Sequence, residues 1–282
     1  MKKGKVILVD WGMILHRTVF AWRKDKDVPL SFLALNQLVS YLYKIGLEKK
    51  DIIIIAVDSE KGSWRRDAIQ EYKANRKQKR ESYSDLDWKL LFREFDELLE
   101  LIKKATPFHV IKIDKLEADD IIAYATKFYK DRECIIVSVD KDFELLWERK
   151  NVKIFSPLVK FRGKRGAYKI CPNEDYPKRL LKKKIKREES DNLVSEIHTA
   201  EEYELRKIVV DLLNLPKYVE LLVAKELKKI NNKKKWDINL IPYPKIRKKL
   251  LQAFYNCDII DYRECEMAFK QRRKNGKNRK KS

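Results

Sequence analysis

The sequence predicts an α/β protein: a mainly parallel sheet flanked by helices, followed by a smaller, basic, helical C-terminal lobe. Three observations carry this. Apolar runs of strand length alternate with stretches of helical spacing through the first half of the chain. Several of those runs end in an aspartate. Past Lys160 the strand pattern gives way to lysine-rich stretches of helical spacing.

Residues 5–10 (KVILVD) form an apolar run ending in an acid. That is the pattern of a buried parallel strand whose last residue opens onto the edge where such sheets bind ligands. Residues 13–22, which include Arg17, have helical spacing. So do 30–45, with Phe32, Leu35, Leu38, Val39 and Leu42 in register and Gly46 as a C-cap. Residues 51–58 (DIIIIAVD) repeat the strand-then-acid pattern. A single aspartate at a strand end also serves as a helix N-cap or turn residue, so Asp10 and Asp58 taken one at a time leave both readings open.

From 59 to 84 the composition shifts. Residues 64–80 are basic with aromatics interleaved, and helical spacing places Arg65, Tyr72, Lys73 and Arg76 on one face. Such a face neutralises phosphates and stacks on bases, or it is a solvated charged helix. Residues 85–104 form an amphipathic helix whose apolar stripe is core, and 108–113 a third strand. The stretch 116–146 then supplies the acidic cluster Glu117-Ala118-Asp119-Asp120 opening a helix, a buried apolar strand at 134–139, and Asp140 and Asp142 at its end. Residues 151–156 are a fifth strand. Gly163 and Gly166 mark a loop. Helical patterns follow at 201–213, 219–230 and 243–255, and the low-complexity basic tail from 270 has the composition of a segment disordered when free. The expected organisation is an α/β domain over 1–158 with a helical gateway around 60–84, a basic helical lobe over 159–269, and a tail over 270–282.

Composition narrows the function. A net charge of +22 over 282 residues predicts a large anionic partner, nucleic acid before an anionic membrane. No secretory signal, no apolar span near 20 residues and no basic amphipathic anchor is visible. The four cysteines form no CxxC pair, which reads as reduced, intracellular and cytoplasmic usage, without a zinc site or disulfide framework. Three widely spaced histidines give little material for a His-rich metal site or a serine triad.

Asp10, Asp58, Glu117, Asp119, Asp120, Asp140 and Asp142 fall at strand ends, or at the helix start beside them, on one edge of one sheet. Crowded carboxylates are unfavourable unless a cation holds them together, and oxygen donors suit Mg²⁺ or Mn²⁺. Two such ions about 4 Å apart activate a water and stabilise the leaving oxygen in phosphodiester hydrolysis. The 117–120 cluster alone also fits a helix start enriched in acids, which the dipole favours. That account does not reach the clusters at Asp10, Asp58 and Asp140.

These motifs together resemble the structure-specific 5′ nucleases: flap endonucleases, polymerase-associated 5′ nucleases, and phage 5′–3′ exonucleases including the ribonuclease H-type enzymes, to which the style of the chain is nearest. The matching stretches are VDWGMILHRTVF (Asp10, Arg17), VDSEKGSWRRDAIQEYKANR (Asp58, Arg65, Tyr72, Lys73, Arg76), LEADDIIA (Glu117, Asp119, Asp120) and SVDKDFELL (Asp140, Asp142). The resemblance implies a PIN-like core, a nuclease active near 5′ ends, and two divalent ions held by the acids. It places Lys73 and Arg76 on a gateway beside the scissile phosphate. Tyr72, Arg17 and Arg65 would support the substrate or the site. The implied substrates are DNA with a 5′ flap or 5′ end and RNA–DNA hybrids in replication. A single-strand binding protein or another replisome component is a candidate partner, and a monomer, in the host cytoplasm if viral, is expected. The family's GDxxDN-like segment has its nearest match at 187–193, where Glu188 and Asp191 keep the acidic spacing and Asp191 is a further candidate ligand. The glycines of that segment and the Gly-x-Gly pattern after it are absent, so duplex binding would rest on lysine and arginine side chains.

Two other classes compete. A non-catalytic DNA-junction binder would have lost metal ligands, yet all seven acids of the first sheet are present. A single-stranded ribonuclease on a related scaffold would not need the long Arg/Lys/Tyr segment or the basic second lobe.

Overall fold

The computed structural model describes residues 3–70, 72–74, 83, 85–186, 197–231, 234–254, 263, 265–267 and 269–271. Strands β1 (Val6–Asp10), β2 (Ile52–Val57), β3 (His109–Lys112), β4 (Cys134–Val137), β5 (Val152–Phe161) and β6 (Lys164–Lys169) form one sheet in the order β3-β2-β1-β4-β5-β6. The first five strands are parallel and β6 is antiparallel to β5.

Side chains alternate across the sheet. Ile7 and Val9 enter one core, with helices α1 (Trp11–Trp22), α2 (Leu30–Ile45), α4 (Trp88–Ala105) and α9 (Pro244–Ala253). Val6 and Leu8 enter the other, with α3 (Trp64–Ala68), α5 (Ala118–Phe128), α7 (Ala200–Val210) and α8 (Lys217–Leu227). Burial on both faces is why β1, β2 and β4 read as unbroken apolar runs. Helix α6 (Tyr176–Ile185) packs on the 3₁₀ helix Asp142–Glu148 and on α7.

Three features differ from the sequence reading. The span around Gly163 is a hairpin, with Arg162 (φ 49°) and Gly163 (φ 77°) supplying the two left-handed residues of a tight turn. The strand β5 runs through residue 158, and β6 completes the same sheet, so the α/β layer extends to Lys169. The gateway segment is no continuous helix: α3 ends at Ala68, and Ile69 is extended. The chain leaves the helix there and turns Tyr72 and Lys73 back onto the acidic edge. Cys134 and Cys171 are free thiols. Among the described residues no helix is long and apolar enough to cross a membrane.

Candidate active site

The strand order decides which acids meet. In parallel strands every carboxyl end lies on one edge, and β1 sits between β2 and β4. Asp10 therefore stands between Asp58, one residue past β2, and Asp140, three past β4. Strand order reverses between β1 and β4, the switch point where α/β sheets open a ligand crevice. The start of α5 brings Glu117, Asp119 and Asp120 to the same edge.

Asp10 does two things that the sequence left as alternatives. Its Oδ1 caps α1, accepting from the Met13 N–H at 3.2 Å, and its Oδ2 accepts from Ser138 Oγ at 2.7 Å across the β1–β4 junction. Burial pushes its carboxyl up to about 6, against the pull of Ser138 and Met13 and reinforced by Asp58 and Asp140. Asp58 Oδ1 accepts from the Ala118 N–H at 2.8 Å, tying β2 to α5. Gly12 lies beneath both: a Cβ there would stand 3.3 Å from Asp10 Oδ1 and 3.5 Å from Asp58 Oδ2.

Glu117 and Asp120 form the capping box of α5. Asp120 is fully buried. Its Oδ2 accepts from the Glu117 N–H at 2.9 Å and from Trp64 Nε1 at 3.1 Å, and its Oδ1 lies 2.7 Å from Arg65 Nη2, an ionic contact off the hydrogen-bond angle. Arg65 also contacts Glu117 Oε2 at 3.3 Å and donates from Nε to the Val209 carbonyl at 2.7 Å, so it joins α3, α5 and α7. Burial works against its charge, but Asp120 and Glu117 hold it protonated beyond the usual range. Tyr72 donates to Glu117 Oε2 at 3.0 Å and Lys73 to Oε1 at 2.7 Å. Burial raises the Glu117 carboxyl, but Lys73 and Arg65 outweigh it and the net displacement is downward. Lys73 sits at φ 57°, a conformation costing an L residue about 1–2 kcal/mol, which its ion pair offsets. Arg65 (1 % exposed) and Tyr72 (4 %) are thus supports of Glu117 in this arrangement and not surfaces a substrate reaches. Interior polar groups must find partners, and these found theirs among the acids.

At the β4 side, the Asp142 N–H donates to Asp140 Oδ1 at 2.8 Å and the Asp140 N–H to Ser138 Oγ at 3.0 Å. Lys184 of α6 pairs with Asp142. Lys169 of β6 donates to the carbonyls of Val139 and Asp140 at 3.3 Å and to Glu144 Oε1 at 2.8 Å; Tyr176 donates to Glu144 Oε2 at 2.6 Å. Burial and Asp140 raise the Asp142 carboxyl against the pull of Lys184. Asp119 is raised well above the usual range, by burial first, then by Asp140, Glu117 and Asp10, against Lys73.

The pairings leave a definite charge pattern. Arg65 and Lys73 answer Glu117 and Asp120, Lys184 answers Asp142, and Lys169 answers Glu144. Among the described residues, no ion pair with a protein cation reaches Asp10, Asp58, Asp119 or Asp140. Four converging carboxylates that form no ion pair with a described cation offer the hard oxygen donors that divalent cations take. No three acidic, histidine or cysteine donors among the described residues already stand at metal-ligand spacing, so binding would draw the carboxylates inward.

Arg17 is not part of this cluster; its Nε donates to Tyr41 at 3.1 Å. Arg76, Glu188 and Asp191 lie outside the described residues. Sequence reasoning missed Ser138, Trp64, Lys169 and Lys184. Ser138 had a signal, two residues before Asp140 in the same motif. Trp64, Lys169 and Lys184 had none, because each meets its partner far along the chain.

Residues 5–175 match the model of the 5′-3′ exonuclease family's N-terminal, resolvase-like domain. The chain belongs to this family. Ribonuclease H of Enterobacteria phage T4 is 30% identical over 203 residues, covering 68% of this chain and 63% of that one. A 5′-3′ exonuclease of Mycoplasmopsis pulmonis is 31% identical over 156 residues, covering 54% and 48%. A bacteriophage T5 flap endonuclease, solved as a pseudo-enzyme–product complex with DNA and metal ions, superposes with a TM-score of 0.49 at 20% identity, covering 89% of this chain and 100% of that one. The chain spans less than two thirds of the length of the curated relatives it matches. As a member of this family it carries the nuclease fold through β1–β6, with the acidic edge inside the matched span.

Proposed function

We propose that this chain is a divalent-metal-dependent 5′ nuclease that hydrolyses phosphodiester bonds near the 5′ ends of DNA or RNA–DNA duplexes, removing flaps or primers in replication. One observation carries the reading: Asp10, Asp58, Asp119 and Asp140, from four separate elements, converge at a topological switch point, and among the described residues none of them forms an ion pair with a protein cation. These four would hold two Mg²⁺ or Mn²⁺ ions, with Glu117, Asp120, Asp142 and Asp191 completing the acid set. When bound, such ions supply an activated water and stabilise the leaving oxygen.

The chain's own residues do the rest. Glu117 anchors Lys73 at the mouth of the site, where its ammonium, with Arg76, would face the scissile phosphate. Tyr72 and Arg65 hold Glu117, and Arg65 and Trp64 hold Asp120. Arg17 would contact the substrate strand from α1. The basic charge of the chain would carry duplex affinity through phosphate contacts.

The test is cleavage of 5′-flap DNA, RNA–DNA hybrid and single-stranded RNA, with and without Mg²⁺, by the wild-type chain and by Asp140→Asn. The expected result is Mg²⁺-dependent cutting of flap and hybrid that Asp140→Asn abolishes while duplex binding persists. Cutting without divalent ions, or full activity in Asp140→Asn, would sink the reading; cutting of single-stranded RNA alone would favour the ribonuclease alternative.

A further inference from the structure

Lys184 is a lysine where hydrated lysines are not found. It lies on α6, outside the family-matched span, and is 3 % exposed. Its Nζ donates to Asp142 Oδ1. Asp142 in turn donates its N–H to Asp140 Oδ1, so one turn links the lysine to an acid of the unpaired set. A buried ammonium gives up hydration that only a close carboxylate restores. Asp142 supplies a carboxylate of that kind to Lys184. The packing of α6 on the 142–148 helix keeps the pair together.

We propose that Lys184 is a positioning residue acting as a permanent counter-charge on the Asp140–Asp142 side of the site, fixing Asp142 and lowering by one unit the negative charge that divalent ions meet there. The inference rests on the proposed metal site. Cation affinity at carboxylate sites is set largely by ligand charge count and rigidity. With Lys184 present, an ion on this side would meet one negative charge fewer and be held less tightly; without it, Asp142 would add its charge to that of Asp140 and the ion would be held more tightly.

The experiment is a Mn²⁺ titration of the full chain without nucleic acid, followed by the electron paramagnetic resonance of free Mn²⁺. The wild type is compared with Lys184→Met, Lys184→Arg and Asp140→Asn, and each protein is also melted in EDTA. Lys184→Met should bind Mn²⁺ at least about tenfold more tightly, the lower limit set by a unit charge about 6 Å from a divalent ion at a water-like dielectric of about 80. Lys184→Arg, which keeps the charge, should match the wild type. Lys184→Met should also melt lower in EDTA and recover more than the wild type on adding Mn²⁺. A purely structural lysine would lower the melting temperature without tightening Mn²⁺ binding, and that result overturns the proposal. If Lys184→Met does not fold, Lys184→Gln carries the same expectation. Equal Mn²⁺ affinity in the wild type and the lysine variants, with Asp140→Asn weakened, rejects the role of Lys184 and leaves the metal site standing. No loss of Mn²⁺ binding in Asp140→Asn rejects the metal site itself, and the proposal with it.

Discussion

Replacing Asp10 by Asn should stabilise the ion-free protein while removing its response to divalent metal. The Asp10 carboxyl is raised from the ordinary 3.8 to about 6, chiefly by burial and with Asp58 and Asp140 adding repulsion. A carboxyl raised on folding binds its proton more tightly in the native state. Native stability is therefore lost as pH climbs between the unfolded and folded values, from near 4 to near 6, and the full loss persists above. The size is about 3 kcal/mol at pH 8 and under about 1 kcal/mol at pH 4, at 1.36 kcal/mol per unit. Asn keeps an oxygen to cap Met13, and the Ser138 hydroxyl rotates to accept from its amide. In EDTA at pH 8, urea unfolding should show Asp10→Asn more stable than the wild type by about 2–3 kcal/mol, narrowing to within about 1 kcal/mol near pH 4. Adding Mg²⁺ should close the gap by stabilising the wild type alone. A variant no more stable than the wild type at pH 8, or an advantage independent of pH, would refute the picture of a desolvated, like-charged carboxylate.

Other consequences are as direct. Arg65→Met strands Glu117 and Asp120 in the interior and should lower stability by about 3–5 kcal/mol in urea unfolding; a loss below about 1 kcal/mol would mean the network is not what holds α3 to α7. Lys73→Ala should slow single-turnover cleavage about a hundredfold or more with little change in melting temperature, and an unchanged rate removes Lys73 from the mechanism. Gly12→Ala places a methyl 3.3 Å from Asp10 Oδ1 and 3.5 Å from Asp58 Oδ2; calorimetric Mn²⁺ titration should show weaker binding in a protein that melts normally, and unchanged affinity would place the ions away from these two acids.

The central sheet was legible because both its faces are buried. Ile52–Val57 has no polar residue to hide, so apolarity and length suffice to assign it. Strand β6 (KRGAYK) was not, since an edge strand spends half its side chains on solvent and its lysines and glycine look like a loop. The helical spacing read over 64–80 is interrupted at Ile69, which is extended, and Tyr72 and Lys73 beyond it reach Glu117; residues 75–80 lie outside the described residues. At the site, each acid was visible because a strand end or helix start announces it. Of the cations, Arg65 and Lys73 were visible in their motif, whereas Lys169 and Lys184 were not, because they arrive from elements that carry no signature of where they fold back.

That division explains why the acidic motifs alone understate the chemistry. The chain through Glu144 gathers eight carboxylates at one edge, and read alone it overstates the charge to be neutralised. Arg65 and Lys73 from the gateway and Lys169 and Lys184 from the second half reduce it, among the described residues, to four aspartates without an ion pair. The remaining deficit has a steep energetic consequence. A single such carboxyl, Asp10, removes about 3 kcal/mol from a folded state whose total margin is on the order of 5–15 kcal/mol. A junction-binding protein without catalysis gains nothing from that arrangement, because its phosphate contacts need cations and the same aspartates repel the ligand. Among the described residues, cations meet the neighbouring acids and none pairs with these four, which fits the proposed reading in which positive charge comes from solution.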